Sequence, residues 1–263
     1  MTSNYHLTTV IPNVDIAPGT VFDDGDIVFN WTPFEIPTGT AALVNITIQQ
    51  FGRDGVASAL NEDMHLYFAK SINGVAPTTL GNVHANPDDA AATACRRNII
   101  GSTFIDRSSM TDLGSLVSFN ILSNTNTAAN VSEGGIATIL QGDPTYASTA
   151  GYQTIWVAGA GNQSGTGGEW LFDTSIASNE ADSANVAANM TGASVALVTS
   201  GTDPRKVFAP GDIAIGSTGG PTMEVVSVDS ATAMTVKNIS EQLDNAEIIN
   251  PRNPFTFIFG FKY

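Results

Sequence analysis

The last nine residues, Phe255-Thr-Phe-Ile-Phe-Gly-Phe-Lys-Tyr263, set an aromatic ring at every second position. Side chains two apart share one face of a β-strand, whereas a helical period of 3.6 would scatter them around the axis. Phe255, Phe257, Phe259, Phe261 and Tyr263 therefore form one apolar face, with Thr256, Ile258, Gly260 and Lys262 on the other. Each ring buries roughly 150–250 Å², so that face demands a second protein layer over it. Chain ends are usually loose, and this one reads as a fastened strand. The chain is constrained to a layered β protein whose end belongs to its core.

The remaining sequence agrees with that constraint. Asp26–Trp31 aligns Ile27, Phe29 and Trp31, and Ala42–Ile48 aligns Val44, Ile46 and Ile48, with Pro33, Pro37 and Gly39 marking a turn between them. Met64–Phe68 and Ser115–Leu122 follow, the second placing Val117, Phe119 and Ile121 together. Thr154–Ala158 and Glu169–Phe172 are more uniformly apolar, as centrally buried strands are. Only Asp88–Arg97 suits a helix, through its Ala run and Asp caps. Long polar linkers, Asn124–Asn130 and Gly159–Gly168, suit binding or assembly loops.

The texture changes near residue 190. Gly192–Val198, Phe208–Ile215, Thr222–Val228 and Ala233–Lys237 are short strand candidates, the last two joined by the turn Asp229-Ser-Ala-Thr232. Val226 with Val228, and Met234 with Val236, share faces. So many short strands close together imply a small barrel. The expected architecture is all-β: an antiparallel, jelly-roll-like sandwich over 1–189 and a small β-barrel over 190–249. Beyond the stiff hinge Asn250–Pro254, the strand 250–263 returns to the sandwich. Its expected neighbours are the strands of Ile27, Phe29 and Trp31, or of Val44, Ile46 and Ile48.

Charge and cysteine content narrow the partners. There are 25 acidic residues against 10 basic ones, a net charge of −15. Phosphate recognition needs clustered Lys and Arg, so neither nucleic acid nor an anionic membrane surface is an expected partner. The acids form no long run, and their spread serves solubility. Charged residues make up only 13% of the chain, so much of the surface must be neutral and polar. Cys95 stands alone, which leaves no internal disulfide and no thiolate cluster. No signal-peptide pattern opens the sequence and no apolar run is long enough to span a bilayer, so synthesis in a cytoplasm is expected.

The run Phe208-Ala-Pro-Gly-Asp-Ile-Ala-Ile215, followed by Glu224-Val-Val-Ser-Val-Asp-Ser-Ala-Thr-Ala-Met-Thr-Val236, resembles small β modules of tailed-phage structural proteins. There a Pro-Gly-Asp turn starts a strand and a Val-Asp-Ser-Ala-Thr-like hairpin links the next two. Phe29–Gln50, with Trp31, Pro33, Phe34, Ile36, Pro37, Gly39, Thr40 and Ala41, looks like the opening strands of a virion decoration or appendage sandwich. The resemblance implies a non-enzymatic, oligomeric virion protein without a cofactor, and it transfers no functional residues. Its implied partners are further copies of itself, for instance in a trimer, and a major capsid protein or other virion proteins. Capsid decoration (cement) is the leading role; a tail or fibre appendage binding a receptor or glycan is the alternative. In that alternative Trp31, Trp156 and Trp170 would stack on sugar rings, although their apolar strand settings favour core packing.

Signatures of catalysis are sparse. The chain has no His-Glu-x-x-His, phosphate-loop or Gly-x-Ser-x-Gly pattern. Gly159–Gly165 has the wrong glycine spacing for a dinucleotide fingerprint. His6, His65 and His84 are too scattered for a metal site, and His65 reads as an outward strand residue. Asp23, Asp24 and Asp26 around Gly25 could offer hard oxygen ligands to Ca²⁺, or could form a polar turn before the Ile27 strand. Arg96 and Arg97, the only adjacent basic pair, could dock an acidic patch on a neighbouring subunit or simply be solvated. Cys95 beside them reads as a small filler.

Overall fold

The computed structural model describes residues 4–14, 22, 24–51, 63–83, 85–105, 111–113, 116–122, 138–146, 149–162, 176–178, 190–216, 220–244 and 246–263. Side chains are described for the same residues except 51, 111–113, 116–122, 162, 190, 191 and 193. The strands are β1 (Tyr5–Val10), β2 (Ile27–Pro37), β3 (Ala41–Phe51), β4 (Asp63–Ala69), β5 (Ile99–Ile105), β6 (Thr111–Leu113), β7 (Leu116–Leu122) and β8 (Thr138–Leu140). They continue as β9 (Tyr152–Asn162), β10 (Ala177–Ser178), β11 (Met190–Ser200), β12 (Ile213–Gly216), β13 (Thr222–Ser230), β14 (Ala233–Ile239), β15 (Ile249–Pro251) and β16 (Phe255–Lys262). The α-helix among the described residues, α1 (Asp89–Cys95), is capped by Asp88, whose carboxylate accepts from the Ala90 N–H at 3.2 Å.

The protein is an all-β molecule of antiparallel sheets with a nearly closed barrel-like sheet near the C-terminus. A first sheet runs β1-β16-β3-β7-β6, with β8 also paired to β3; a second runs β2-β9-β4-β5. The aromatic strand thus lies between β1 and β3, with Phe259 opposite Thr8 on one side and Ile46 on the other. Its rings point at the second sheet. Phe255, Phe257, Phe259 and Phe261 are all fully buried. Phe257 meets Phe29 at 5.4 Å between ring centroids, Phe259 meets Phe34 at 5.2 Å, and Phe68 meets Phe259 edge-on at 5.6 Å. These offset and edge contacts add to the burial of the rings themselves.

Bulges change which residues reach this core. On β3 the pairing with β16 shifts between Gly260 and Phe261, so Leu43, Ile46 and Ile48 are buried while Val44 is only half-buried. The expected trio containing Val44 is corrected: the extra residue of the bulge turns its side chain off the core face. β2 carries two such shifts, between Ile27 and Phe29 and between Phe29 and Thr32. Ile27 and Trp31 therefore leave the Phe29 face and pack with Leu80, Cys95 and Ala158, while Phe34 and Ile36 take over the core contacts. Pro33 and Pro37 belong to β2 and pair with Trp156 and Tyr152; the turn is confined to Thr38–Thr40 around Gly39, whose φ is 116°. A strand tolerates proline at a sheet edge, where an unused N–H is no loss, and β2 is such an edge.

The central strand β9 is covered on both faces. Val157 joins the aromatic core, while Ala158 packs with Ile27, Leu80 and Cys95 beneath the segment that carries α1. That double burial accounts for the uniformly apolar run Thr154–Ala158. Gly159 is required because a Cβ there would run into the Phe29 ring. Glu169–Phe172 and Asn124–Asn130 lie outside the described residues, as does 163–168 of the expected linker Gly159–Gly168, whose first four residues instead belong to β9.

The third sheet runs β10-β11-β14-β13-β12-β15, and a bridge between Ala177 and Ile248 brings its ends together. Leu197, Met223, Val225, Met234, Val236, Ile239 and Ile249 fill its interior. Met234 and Val236 share the core as expected. Val226 does not: a register shift between Val225 and Ser227 turns it outward, while Val228 packs against the core. Asp229 and Ser230 are part of β13, so the turn proper is Ala231-Thr232. The Asp229 carboxylate instead accepts from Ser227 Oγ at 2.7 Å and Thr235 Oγ1 at 2.8 Å. The expected hinge is in part a strand, since Asn250 and Pro251 pair with Ile215 and Ala214.

Candidate functional site

The acidic turn before β2 is tied to the sandwich. The Gly25 N–H donates to the Gly161 carbonyl at 2.9 Å, and the Gly161 N–H donates to that of Asp26 at 2.8 Å. Gly25 adopts φ 83°, and a Cβ there would strike the Asn86 side chain. Asp24 is exposed, Asp26 is buried, and Asp23 lies outside the described residues. Among the described residues no group of three His, Cys, Asp or Glu side chains is gathered that could hold a metal ion.

Arg96 and Arg97 are both exposed directly after α1, Arg96 serving as its C-terminal cap residue. Two bonds hold this end of the segment to the end of β4: Lys70 N–H to the Asn98 carbonyl at 2.9 Å, and Asn98 Nδ2 to the Lys70 carbonyl at 2.8 Å. The two guanidinium groups thus sit on a fixed part of the surface. Cys95 is fully buried, its Sγ directed at the Ala92 carbonyl at 3.6 Å, and burial raises its pKa. It packs as a filler beside Ile27 and Leu80.

His6 and His65 belong to different sheets, and His84 lies outside the described residues. His65 stands beside Phe104, with centroids 4.8 Å apart, and Tyr67. His6 stands beside Tyr152 and Tyr263. Burial pushes the Tyr263 phenol up to about 12, so it is neutral at physiological pH. Trp156 is buried against Tyr146, Trp31 is half-buried in the packing above β9, and Trp170 lies outside the described residues.

One organising residue escapes the sequence reading. Asp143 is only 7% exposed, and its carboxylate accepts four hydrogen bonds: from Thr145 N–H at 2.9 Å, Thr145 Oγ1 at 2.7 Å, Gly74 N–H at 3.0 Å and Ser71 Oγ at 3.2 Å. The donors at Gly74 and Thr145 hold its pKa down at about 2. The bond to Thr145 is the local Asp turn that the Asp-Pro-Thr order could have signalled. The bonds to Ser71 and Gly74 cross between distant loops, and no local pattern announces them.

Three exposed apolar side chains gather at β1 and the residue after it, while Val75 and Ile139 are exposed elsewhere. Tyr5 is 69% exposed, Leu7 70% and Ile11 49%, while Val10 on the opposite face is buried. Among the described residues β1 is the end strand of its sheet. The Tyr263 N–H donates to the Asn4 carbonyl, so the backbone groups of Asn4, His6, Thr8 and Val10 point toward β16. Those of Tyr5, Leu7 and Thr9 point the other way, where the described residues offer no paired strand. β1 lies alongside β2 without pairing to it.

No protein-family model and no curated protein sequence matches the chain. Among solved structures it superposes on the infectious bursal disease virus VP2 subviral particle with 8% identity and a TM-score of 0.25. That superposition covers 98% of this chain and 41% of the other, so this chain spans less than half of its length. The STIV MCP gives 11% identity and a TM-score of 0.16 over 98% of this chain and 96% of that one. Similarity this slight carries no argument about function. Among the described residues, no helix is long and apolar enough to cross a membrane.

Proposed function

We propose that the protein is a non-enzymatic structural component of a virion: a capsid decoration (cement) protein that stabilises the particle through contacts between subunits. The observation that carries this reading is the apolar strand edge at β1, displayed on a sandwich whose core is locked by the aromatic rings of β16. A rigid layered scaffold presenting strand edges and loops suits holding neighbours at a fixed spacing better than it suits turnover. The virion context comes from the resemblance of Phe29–Gln50 and Phe208–Val236 to phage structural modules. Individual contacts of this kind bury on the order of 1,000 Å² or more, and several weak ones multiply when subunits are arrayed on one surface.

The surface that receives it is neutral or basic, or is bridged by divalent cations, given the net charge of −15. Asp23, Asp24 and Asp26 would take the calcium in that last case, and Arg96 and Arg97 would meet an acidic patch on a neighbour. We further propose a main sandwich over 1–189, a barrel over 190–249 and a returning strand over 250–263 as the working division, with β10 and β15 extending the barrel's sheet beyond those bounds. Electron cryomicroscopy of the native particle tests the function. Density for this chain across capsid-subunit junctions is expected; density on the tail would make it an appendage, and its absence from virions overturns the reading.

A further inference from the structure

We infer that β1 is the contact strand of a symmetric pair, in which a second copy of this chain adds its own β1 antiparallel across a two-fold axis centred on Leu7. The inference rests on the structural, self-associating role proposed above and assigns it a surface and a register.

Among the described residues, no hydrogen-bond partner exists for the outward backbone groups of Tyr5, Leu7 and Thr9. Sheet edges normally carry protection such as an inward charge, a proline or a bulge. β1 has none of these: Tyr5-His-Leu-Thr-Thr-Val10 contains no Asp, Glu, Lys, Arg or Pro, and its pairing with β16 runs without a shift. An unprotected edge in a folded protein calls for a partner strand.

Charge restricts where a second copy can meet the first. With a net charge of −15, two copies of this chain repel over much of their surface, and a locally neutral contact avoids that repulsion. A two-fold contact places each patch against itself, so it must also be self-complementary. β1 meets both conditions. With Leu7 on the axis, Leu7 pairs with Leu7 of the second copy and Tyr5 pairs with its Thr9. All three outward-pointing residues then sit in hydrogen-bonded pairs, and their exposed side chains lie together on one face. The two β1-β16-β3 sheets become one continuous sheet across the axis. Leu7 also lies over Gly260 on the neighbouring strand, where a Cβ would meet its Cδ2 at 3.5 Å, so its side chain rests on bare backbone beside the edge.

Register-specific cross-linking tests the inference in the full-length protein. Directly paired strand residues have Cα atoms about 5.5 Å apart, within disulfide reach. Two copies of Tyr5 would be offset by four residues, about 13 Å along the strand, and out of reach. Under mild oxidation Leu7→Cys should form a disulfide dimer at least tenfold faster than Val226→Cys on the barrel surface. Tyr5→Cys alone should not cross-link, but an equimolar mixture of Tyr5→Cys and Thr9→Cys should. Leu7→Lys should lower the dimer fraction in sedimentation velocity without altering the circular dichroism spectrum. Equal cross-linking of Leu7→Cys and Val226→Cys, or of Leu7→Cys and Tyr5→Cys, overturns the pairing. So does a Leu7→Cys thiol that is protected from maleimide in the monomer, since the chain itself would then cover the edge. Particle density without edge pairing would sink this inference alone; edge pairing in a protein absent from virions would sink the functional reading alone.

Discussion

The aromatic sandwich and the barrel-like sheet solve the same problem with different materials. Between two facing sheets there is a gap of about 10 Å, and here phenylalanine fills it from both sides: Phe255, Phe257, Phe259 and Phe261 from one sheet, Phe29, Phe34 and Phe68 from the other. The barrel interior is lined mainly by Leu, Met, Val and Ile, with Phe208 its one fully packed ring among the described residues. Their wiring differs as well. β12, β13 and β14 pair with their neighbours in sequence, whereas β16 pairs with β1 and β3 from the other end of the chain. Local pairing forms quickly and long-range pairing slowly, so the barrel should fold ahead of the sandwich, which closes only when the last strand docks.

The most severe break in this comparison is removal of Phe255–Tyr263. It takes out the strand between β1 and β3 and should abolish the sandwich's cooperative melting transition by calorimetry. A soluble truncation that melts as the full protein does would contradict the central place given to β16. Next come paired core truncations. Phe259→Ala should cost about 3–5 kcal/mol in denaturant unfolding and Met234→Ala about 2–4 kcal/mol. If the two cores melt separately, each change should move only its own transition; a single shared shift would show that they unfold as one. Gly159→Ala should cost about 1–3 kcal/mol, because the added methyl displaces the Phe29 ring. A neutral result there would mean that the ring has room to turn.

The smallest expected effect is pH-dependent. Asp143 has a folded pKa of about 2, below the roughly 3.9 of an unfolded aspartate. Folding therefore favours its ionised form, and this stabilisation is complete above about pH 4 and lost as pH falls toward 2. Asp143→Asn should flatten that stretch of the stability profile, measured as the urea midpoint between pH 2 and 5. An unchanged slope would show that the Ser71–Gly74 loop is held by something else.

Much of the layout was legible because strand periodicity survives wherever a strand is regular. Phe255–Tyr263 is such a strand, and so are Met64–Phe68 and Met234–Val236. Reading failed at the bulges. Val44, Trp31 and Val226 each fit a period-two pattern, and each leaves the core face because one extra residue upstream or beside it reverses the alternation. Pro33 and Pro37 read as turn signals, and nothing local shows that their strand lies at a sheet edge. Of the site residues, the capping role of Asp88 was readable from its neighbours alone. Asp143 was not, since two of its four donors come from a loop some seventy residues earlier.

By itself the sequence determined that the protein is layered and β-built and that its last strand is core. These are consequences of local alternation and composition, which need no knowledge of what packs where. Tertiary structure decided which strands flank the aromatic one, where bulges reverse a face, and that, among the described residues, β1 ends its sheet with the Tyr5, Leu7 and Thr9 backbone groups turned away from β16. Pairing partners and open edges are properties of distant segments meeting, and no window of neighbouring residues encodes them.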